Sequence, residues 1–348
     1  MANTDKLTLI RPDDWHVHLR DSEALRLTVP HTARQFGRAI VMPNLSTPVI
    51  NVAMAEDYAH RIIEHIPASV DFRPLMTLYL TDTTRSEDIA QINISDWVVA
   101  CKLYPAGATT NSAHGVTKLD KLYPTLDAMQ RYDVPLLIHG EVTRTEVDIF
   151  DREKVFINER LAPLHRDFPE LRIVLEHITT ADAVSFVEST SKKVAATLTP
   201  QHLLFNRNAI LAGGIRPHHY CLPVLKREEH RRALLTAATS GNSKFFLGTD
   251  SAPHARSKKE TACGCAGIYS AHAAIEIYAE IFDRANALDK LENFASRFGP
   301  DFYGLPYNNN SITLARTTWT IPDRYSYIDE DIVPLMAGSE LNWTLLAQ

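Results

Sequence analysis

Short apolar segments rich in β-branched and aromatic residues alternate along the chain with longer amphipathic segments. Eight apolar segments have the length and composition of strands: Asp14–Leu19, Arg38–Met42, Phe72–Leu80, Trp97–Tyr104, Val134–Gly140, Arg172–Ile178, Lys193–Thr199 and Lys244–Asp250. Helical periodicity between them predicts helices over Ser22–Phe36, Val52–His65, Ser86–Ile92, Leu119–Arg131, Asp151–Phe168, Thr180–Glu188, Lys226–Ser240 and Ser270–Arg284.

The alternation of eight strands with eight helices predicts a (β/α)8 TIM barrel. Runs that are apolar throughout, such as Val134–Ile138, suit parallel strands covered by helices on their outer face. A doubly wound open sheet is the alternative. After Arg284 the pattern becomes less regular, so we expect one domain over residues 1–348, with an irregular C-terminal extension from about residue 285 packed on the barrel.

Composition limits the classes of function. The chain has 348 residues, 45% hydrophobic and 22% charged, with a formal net charge of −6. These values are typical of a globular protein with a full core, and the negative charge argues against a nucleic-acid partner. No stretch approaches the ~20 apolar residues of a membrane span, and the N-terminus lacks the pattern of a signal peptide. We therefore expect a cytoplasmic protein without membrane contact, and reduced, buried thiols at Cys263 and Cys265.

In such a barrel the active site lies at the C-terminal ends of the strands. His16 and His18 alternate on the first strand and should face the same side, with Arg20 continuing that face. His-x-His alone is a weak signal, since a polar strand end with two hydrogen-bonded histidines has the same spacing. Later strand ends strengthen the case, because they carry further polar residues: Asn44, Lys102, His139, His177 and Asp250.

Four histidines and an aspartate at one end of a barrel suit Zn²⁺ or a similar divalent ion. One four-coordinate zinc with an open position needs fewer ligands, so two metal ions are the better count. Lys102 is the exception in this set. Considered alone, it is best interpreted as the partner of a buried carboxylate. Burial beside two metals would instead favour its neutral amine, which can take up carbon dioxide and become a bridging carbamate.

The order of these residues along the chain resembles the amidohydrolase superfamily. The local sequence motifs are most similar to those of the short, stand-alone bacterial dihydroorotases, and the similarity covers nearly the whole chain. The segments that carry it are Pro12–Arg20, Met42–Asn44, Lys102–Ala106, His139–Val142, Glu176–Thr180, Thr199–Leu203 and Gly248–His254.

This resemblance implies a zinc-dependent cyclic amidohydrolase that interconverts L-dihydroorotate and N-carbamoyl-L-aspartate in pyrimidine biosynthesis. By motif position, His16, His18 and Asp250 would hold one Zn²⁺, while His139 and His177 would hold the second. Lys102, carboxylated on its side-chain nitrogen, and a hydroxide would bridge the two ions. Asp250 would act as general base and acid for the attack of that hydroxide on the ring amide.

The resemblance also implies a set of substrate-binding residues and a homodimer. Arg20, Asn44 and His254 would bind the substrate carboxylate, for which the guanidinium of Arg20 is chemically suited. Thr109 and Thr110 would reach the substrate from a mobile loop over residues 105–115, and the backbones of Leu222 and Ala266 would contact the ring.

Two other kinds of function remain open at this point. A different cyclic-amide or phosphoester hydrolase would share the metal ligands but would need a different substrate pocket. A non-catalytic barrel that binds a protein partner would usually lack one of the ligands, and all six are present here.

Overall fold

The computed structural model describes residues 5–347, and its centre is a ring of eight parallel strands. Strand β1 (Lys6–Ile10) precedes the ring. The ring strands follow in chain order: β2 (Asp13–Val17), β3 (Arg38–Val41), β4 (Arg73–Tyr79), β5 (Val98–Leu103), β6 (Leu136–Ile138), β7 (Ile173–Leu175), β8 (Val194–Leu198) and β9 (Phe245–Leu247).

The ring closes between β9 and β2. The amide of Asp250 donates to the His16 carbonyl at 2.8 Å, and the amide of His18 donates to the Ser251 carbonyl at 3.0 Å. Each of the other strands pairs with its sequence neighbour. The predicted (β/α)8 barrel is therefore confirmed, and the open sheet is excluded.

Helices follow the ring strands, and most of them pack on the outer face of the ring. They are α1 (Leu25–Gln35), α2 (Val52–Ile63), α3 (Ser86–Ile92), α4 (Tyr123–Arg131), α5 (Arg152–Phe156), α6 (Ala162–Asp167), α7 (Ala181–Ser189), α8 (Pro200–Leu204), α9 (Asn208–Leu211), α10 (Glu228–Thr239), α11 (Arg256–Lys259), α12 (Ala274–Arg284), α13 (Leu288–Glu292) and α14 (Phe298–Tyr303). Short 3₁₀ turns cover Ser22–Ala24, Leu119–Leu122 and Pro217–His219, and π-helical turns cover Ile157–Leu161 and Asn293–Arg297. The predicted helix over Asp151–Phe168 thus comprises α5 and α6 with a π-helical turn between them. No helix within residues 5–347 has both the length and the hydropathy needed to cross a membrane.

Strand β6 shows how the barrel separates its two cores. Leu136 and Ile138 belong to the outer core between strands and helices, whereas Leu137 belongs to the inner core inside the ring. This division follows from the alternation of side chains along a strand. The buried residues of the inner core are Trp15, Ile40, Met42, Leu75, Ala100, Leu137, Val174, Ala195, Phe246 and Tyr303.

The segment after Arg284 forms the floor of the barrel. Helix α14 stacks Tyr303 on Trp15, with ring centroids 4.6 Å apart and planes 10° apart. Gly299 allows this close approach, because a Cβ at that position would lie 1.9 Å from the Trp15 indole nitrogen. The inner core is therefore closed by residues about 290 positions away from the strand that they cover.

The same segment also contains strands that the sequence pattern does not predict. They are β10 (Ser311–Ala315), β11 (Trp319–Thr320), β12 (Tyr325–Tyr327), β13 (Glu330–Ile332), β14 (Glu340–Leu341) and β15 (Thr344–Leu345). Strand β10 pairs with β1 and with β15 in a small antiparallel sheet, while β11 pairs with β14 and β12 with β13. The β1–β10 pairing joins the two ends of the chain, so no local pattern could reveal it.

Candidate metal centre

The polar centre lies directly above the inner core, on the same strands. Side chains two positions apart on a strand point to the same face. Lys102 therefore shares the inward-facing side with the inner-core residue Ala100, and His139 shares it with Leu137. Asp250 follows strand β9 and lies four positions after Phe246, which belongs to both this strand and the inner core. The strands therefore change from apolar to polar side chains within one or two inward-facing positions.

Three of the predicted ligands converge at the seam that closes the ring. Nε2 of His16 lies 3.3 Å from Nε2 of His18. Oδ1 of Asp250 lies 3.1 Å from the His18 nitrogen and 3.4 Å from the His16 nitrogen. All three side chains are buried, and one ligand atom from each fits within 4.8 Å of the others. The geometry thus brings together the trio expected to hold the first ion.

The protonation of these histidines indicates that the cluster is built for a cation. Nδ1 of His16 donates a hydrogen bond to Glu176, and Nδ1 of His18 donates to Oδ1 of Asn44 at 2.9 Å. Burial lowers the pKa of His16 to about 3, so its ring is neutral and carries one proton. With Nδ1 protonated, each Nε2 presents a lone pair to the other and to Asp250. Such a cluster of acceptors is unfavourable without a positive ion at its centre, so the residues fit a divalent metal.

The residues expected to hold the second ion lie beside the first cluster. The ring of His177 lies 5.0 Å from the ring of His16 and 4.8 Å from the ring of His139, measured between centroids. His139 uses Nε2 to contact Glu141 at 2.8 Å, which leaves its Nδ1 available. Nδ1 of His177 is buried and has no hydrogen-bond partner among residues 5–347. Both rings therefore have a nitrogen available for a ligand.

Lys102 is the most unusual member of the centre. Its side chain is fully buried, and within the described residues its Nζ has no hydrogen-bond partner. The nearest carboxylate oxygen, on Glu176, lies 4.0 Å away, beyond hydrogen-bonding distance. Burial lowers the pKa of Lys102 well below its usual range. Within the described residues, the contacts of the amine are therefore this distant carboxylate and the face of the Tyr104 ring, whose centroid lies 5.1 Å from Nζ.

Hydrogen bonds behind the metal trio fix the backbone positions of His16 and of the residue before Asp250. Asp14 accepts hydrogen bonds from the His16 amide (3.2 Å), from the Thr249 amide (2.9 Å) and from the Thr249 hydroxyl (2.6 Å). It thereby links strand β2 to the residue before Asp250. Asp250 and His177 both have left-handed backbone conformations, with φ of 45° and 41°. Each such conformation costs about 1–3 kcal/mol, which the surrounding contacts must offset.

The predicted substrate residues surround the same centre. A small cavity is lined by His18, His139, His177 and Asp250 together with six of these residues. The six are Arg20, Asn44, Thr109, Thr110, Leu222 and Ala266. The seventh, His254, does not line the cavity but contacts Arg20 and the Ala266 carbonyl, each at 3.0 Å.

Arg20 reaches this cavity by a different path from the one its spacing suggests. Strand β2 ends at Val17, and Arg20 has φ of 60°, so it does not continue the face of His16 and His18. This part of the prediction is wrong, because the strand turns before Arg20. Its guanidinium donates to the Pro253 carbonyl at 3.2 Å and lies 3.0 Å from Nε2 of His254, rather than beside a carboxylate of the described chain. The charge is therefore available to an anionic ligand.

The loop over residues 105–115 lies across the mouth of the cavity. Nδ2 of Asn44 donates to the Thr110 carbonyl at 3.0 Å, and Nδ2 of Asn111 donates to the Asn44 carbonyl at 3.0 Å. The Thr110 hydroxyl lies 3.4 Å from the Ala266 carbonyl on the opposite rim. These few polar contacts attach the loop to both sides of the site.

The sequence interpretation missed the carboxylates behind the histidines. Glu176 contacts a ring nitrogen of His16, and Glu141 contacts one of His139, so each carboxylate accepts a hydrogen bond from its histidine. Both glutamates lie within two residues of a predicted ligand. That proximity is a usable signal, since metal-binding histidines commonly donate their other N–H to a carboxylate. The prediction of buried thiols is wrong for Cys263, which is exposed, and for Cys265, which is partly exposed, because both lie on a surface loop.

Comparison with known proteins identifies the family to which this arrangement belongs. A model described as the amidohydrolase family matches residues 8–314. The chain belongs to the amidohydrolase family. A dihydroorotase from Acaryochloris marina is 62% identical over 341 residues, which are 98% of this chain and 99% of the relative. A dihydroorotase from Delftia acidovorans is 62% identical over 345 residues, 99% of each chain.

Solved structures support the same placement within the amidohydrolases. A dihydroorotase from Campylobacter jejuni has a TM-score of 0.91 and 34% identity, covering 99% of this chain and 98% of that one. A dihydroorotase from Saccharomyces cerevisiae, in complex with 5-fluoroorotic acid, has a TM-score of 0.91 and 33% identity, covering 99% of both chains. The resemblance seen in the motifs is confirmed, and the protein is a hydrolase of this superfamily.

Proposed function

We propose that the protein catalyses the reversible hydrolysis of L-dihydroorotate to N-carbamoyl-L-aspartate, a step of pyrimidine biosynthesis. The single observation that carries this proposal is the position of Arg20, which lines the same cavity as His18 and Asp250 of the metal trio. A cyclic amide with a carboxylate on its ring would satisfy both features at once. Two relatives that are 62% identical to this chain are dihydroorotases, and their names support the same substrate.

The residues of the centre fit two Zn²⁺ ions, because imidazole nitrogens and a carboxylate are suitable ligands. We assign His16, His18 and Asp250 to one ion, and His139 and His177 to the other. When bound, the ions would acidify a water molecule and polarise the scissile amide carbonyl.

Lys102 would serve both ions after reaction with carbon dioxide. Its neutral amine attacks the carbon of carbon dioxide, an N–C bond forms, and one proton leaves to solvent. The product is an anionic carbamate with two oxygens, which suits a position between two cations. The buried Nζ supports this assignment, because it has no hydrogen-bond partner within residues 5–347 and an ordinary ammonium would be expected to donate to acceptors around it.

We assign the proton transfer of the reaction to Asp250. Its carboxylate would accept a proton from the attacking water as the new C–O bond forms at the ring carbonyl. It would then deliver that proton to the ring nitrogen as the C–N bond breaks, so that the leaving group departs as a neutral urea nitrogen. The direction reverses in the cyclisation.

The remaining residues would bind and enclose the substrate. Arg20, Asn44 and His254 would hold its carboxylate, and the backbones of Leu222 and Ala266 would contact its ring. Thr109 and Thr110 would donate hydroxyl hydrogen bonds from the closed loop, which excludes bulk water during the reaction.

The test is turnover by zinc-loaded enzyme of dihydroorotate against hydantoin, dihydrouracil and a phosphotriester. We expect dihydroorotate to be strongly preferred, since only it carries the carboxylate. Arg20→Ala should lose dihydroorotate turnover while zinc content persists. Equal turnover of dihydrouracil, or full activity of Arg20→Ala, would contradict the proposal.

We also propose that the chain acts as one domain and as a homodimer. The floor supplied by α14 supports the first statement, and the frequency of two-fold assemblies among soluble enzymes supports the second. Light scattering of the purified protein measures the assembly state directly.

A further inference from the structure

Lys259 on α11 is a buried cation whose surroundings differ from those of an ordinary lysine. Only 2% of the residue is exposed. Its Nζ donates to the carbonyls of Tyr220, Cys265 and Gly267, each at 2.7 Å. An ammonium has three N–H donors, so every one of them is matched by a main-chain oxygen.

The three carbonyls belong to the two segments that form one wall of the substrate cavity. Those of Cys265 and Gly267 flank Ala266, and that of Tyr220 stands two residues before Leu222. Ala266 and Leu222 both line the cavity beside the metal trio. One side chain outside the cavity thus joins the two backbone segments from which the ring contacts are expected.

Ala266 is also the place where other parts of the site meet. Its carbonyl lies 3.4 Å from the Thr110 hydroxyl of the loop over residues 105–115 and 3.0 Å from Nε2 of His254. His254 in turn contacts Arg20 at 3.0 Å. A shift of the segment around Ala266 would therefore be transmitted to the loop and to the proposed carboxylate site.

Burying an ammonium is unfavourable unless its hydrogen bonds are replaced, as they are here by three main-chain carbonyls. A methionine of similar volume would leave those carbonyls without this donor. The ammonium also fixes the geometry of the wall, because three short hydrogen bonds hold three carbonyls at defined positions around one nitrogen atom.

We propose that Lys259 is a positioning residue for substrate binding, which sets the wall formed by residues 220–222 and 265–267. The inference rests on the proposed function, since it takes the substrate to be the ring that this wall contacts. Lys259 itself does not reach the reacting atoms.

The charge state of Lys259 supplies a signature of this role. Burial lowers the pKa of Lys259 to about 8. Below that pH three N–H donors face three carbonyls, whereas above it the neutral amine has two donors and directs a lone pair at an oxygen. We expect KM to rise as pH passes about 8, with kcat less affected, because the wall loosens while the metal ligands stay in place.

Five other titratable groups face Lys259, and each has to be excluded as the cause of a change in KM near pH 8. They are the thiols of Cys221 and Cys265, the ring of Tyr220, and the imidazoles of His219 and His254. Burial raises the pKa of Cys221 to about 12 and that of Tyr220, and it lowers the pKa values of both histidines. These four groups therefore do not titrate near pH 8, and Cys265→Ser excludes the remaining thiol.

The experiment measures kcat and KM for dihydroorotate with zinc-loaded enzyme from about pH 7 to about pH 9.5. Lys259→Met should raise KM about tenfold at neutral pH, change kcat less than about threefold, and remove the alkaline rise in KM. Lys258→Met is the matched control, because Lys258 is the exposed neighbour on the same helix. It should match the wild type. Cys265→Ser tests only the alkaline rise in KM, which should persist in this variant if Lys259 causes it.

The outcomes separate this inference from the proposed function. Wild-type enzyme without dihydroorotate turnover would overturn both. Wild-type turnover combined with an unchanged KM profile in Lys259→Met would overturn the role of Lys259 alone. If Lys259→Met lacks a cooperative melting transition, Lys259→Arg decides. Its permanent charge should abolish the alkaline rise in KM, and a rise like that of the wild type would overturn the inference.

Discussion

The two ends of the barrel interior are built from the same eight strands, yet they have opposite chemistry. At the floor, Trp15, Phe246 and Tyr303 pack ring against ring, and each is buried among apolar neighbours. At the mouth, His16, His18 and Asp250 stand within 3.4 Å of one another without an apolar group between them. The change takes place within a few inward-facing positions along each strand.

The difference shows how this fold separates stability from activity. The floor lowers the free energy of the folded state by removing aromatic surface from water. The mouth does the opposite in the absence of ions, because it gathers acceptors and strained backbone that the rest of the barrel must hold in place. Substitutions at the two ends should therefore change different observables.

The largest effect is expected at Lys102. Lys102→Ala should lose essentially all turnover, because it removes the group assigned to both ions, while the barrel keeps its melting temperature within a few degrees. Added small carboxylic acids should restore part of the activity if their carboxylate replaces the carbamate. Intact mass measured without acid should show one added carbon dioxide in the wild type and none in the variant. An unmodified, active wild type would contradict the assignment.

Asp250→Asn should lower kcat by about 10³-fold, since it removes the proton carrier as well as one ligand. Without zinc, the same variant should be at least as stable as the wild type, because one charged acceptor leaves a cluster of acceptors. Kinetics and urea unfolding of the metal-free proteins test both halves. A large loss of metal-free stability would show that the mouth does not oppose folding, and the comparison would fail.

Tyr303→Ala tests the floor and should reduce the free energy of unfolding by about 3–5 kcal/mol through the cavity that it leaves. The remaining folded enzyme should keep its kcat and KM. Tyr303→Phe is the matched control. The hydroxyl of Tyr303 has no partner among residues 5–347, so its removal should cost little. A selective loss of kcat in Tyr303→Ala would show that the two ends are coupled.

Thr110→Val should have the smallest effect, a less than tenfold rise in KM, because it removes one hydroxyl contact with a net worth of about 0.5–1.5 kcal/mol. Thr110→Ser keeps the hydroxyl and should restore the wild-type value. Steady-state kinetics at fixed zinc suffices. A drop in kcat of several orders of magnitude would instead place Thr110 in the chemical step.

Much of this molecule could be read from local patterns. The spacing of apolar and polar residues predicts all eight ring strands and the longer helices around them, because both periodicities are local properties of the chain. It does not predict the short helices α8, α9 and α11. The rule that barrel sites lie at the C-terminal ends of strands then places His139 and Asp250 near His16 before any coordinates are known. The same local patterns misplace Arg20, because the strand ends three residues before it.

Other features arise only when distant segments meet. Three contacts join positions that no sequence period relates: the stacking of Tyr303 on Trp15, the hydrogen bond that Glu176 accepts from His16, and the hydrogen bonds of Lys259 to three carbonyls. The sequence alone determined which side chains would stand at the ends of the strands. Only the tertiary structure decided which partners surround each of them, because closing the ring fixes those distances and removes the water that would otherwise satisfy each polar group.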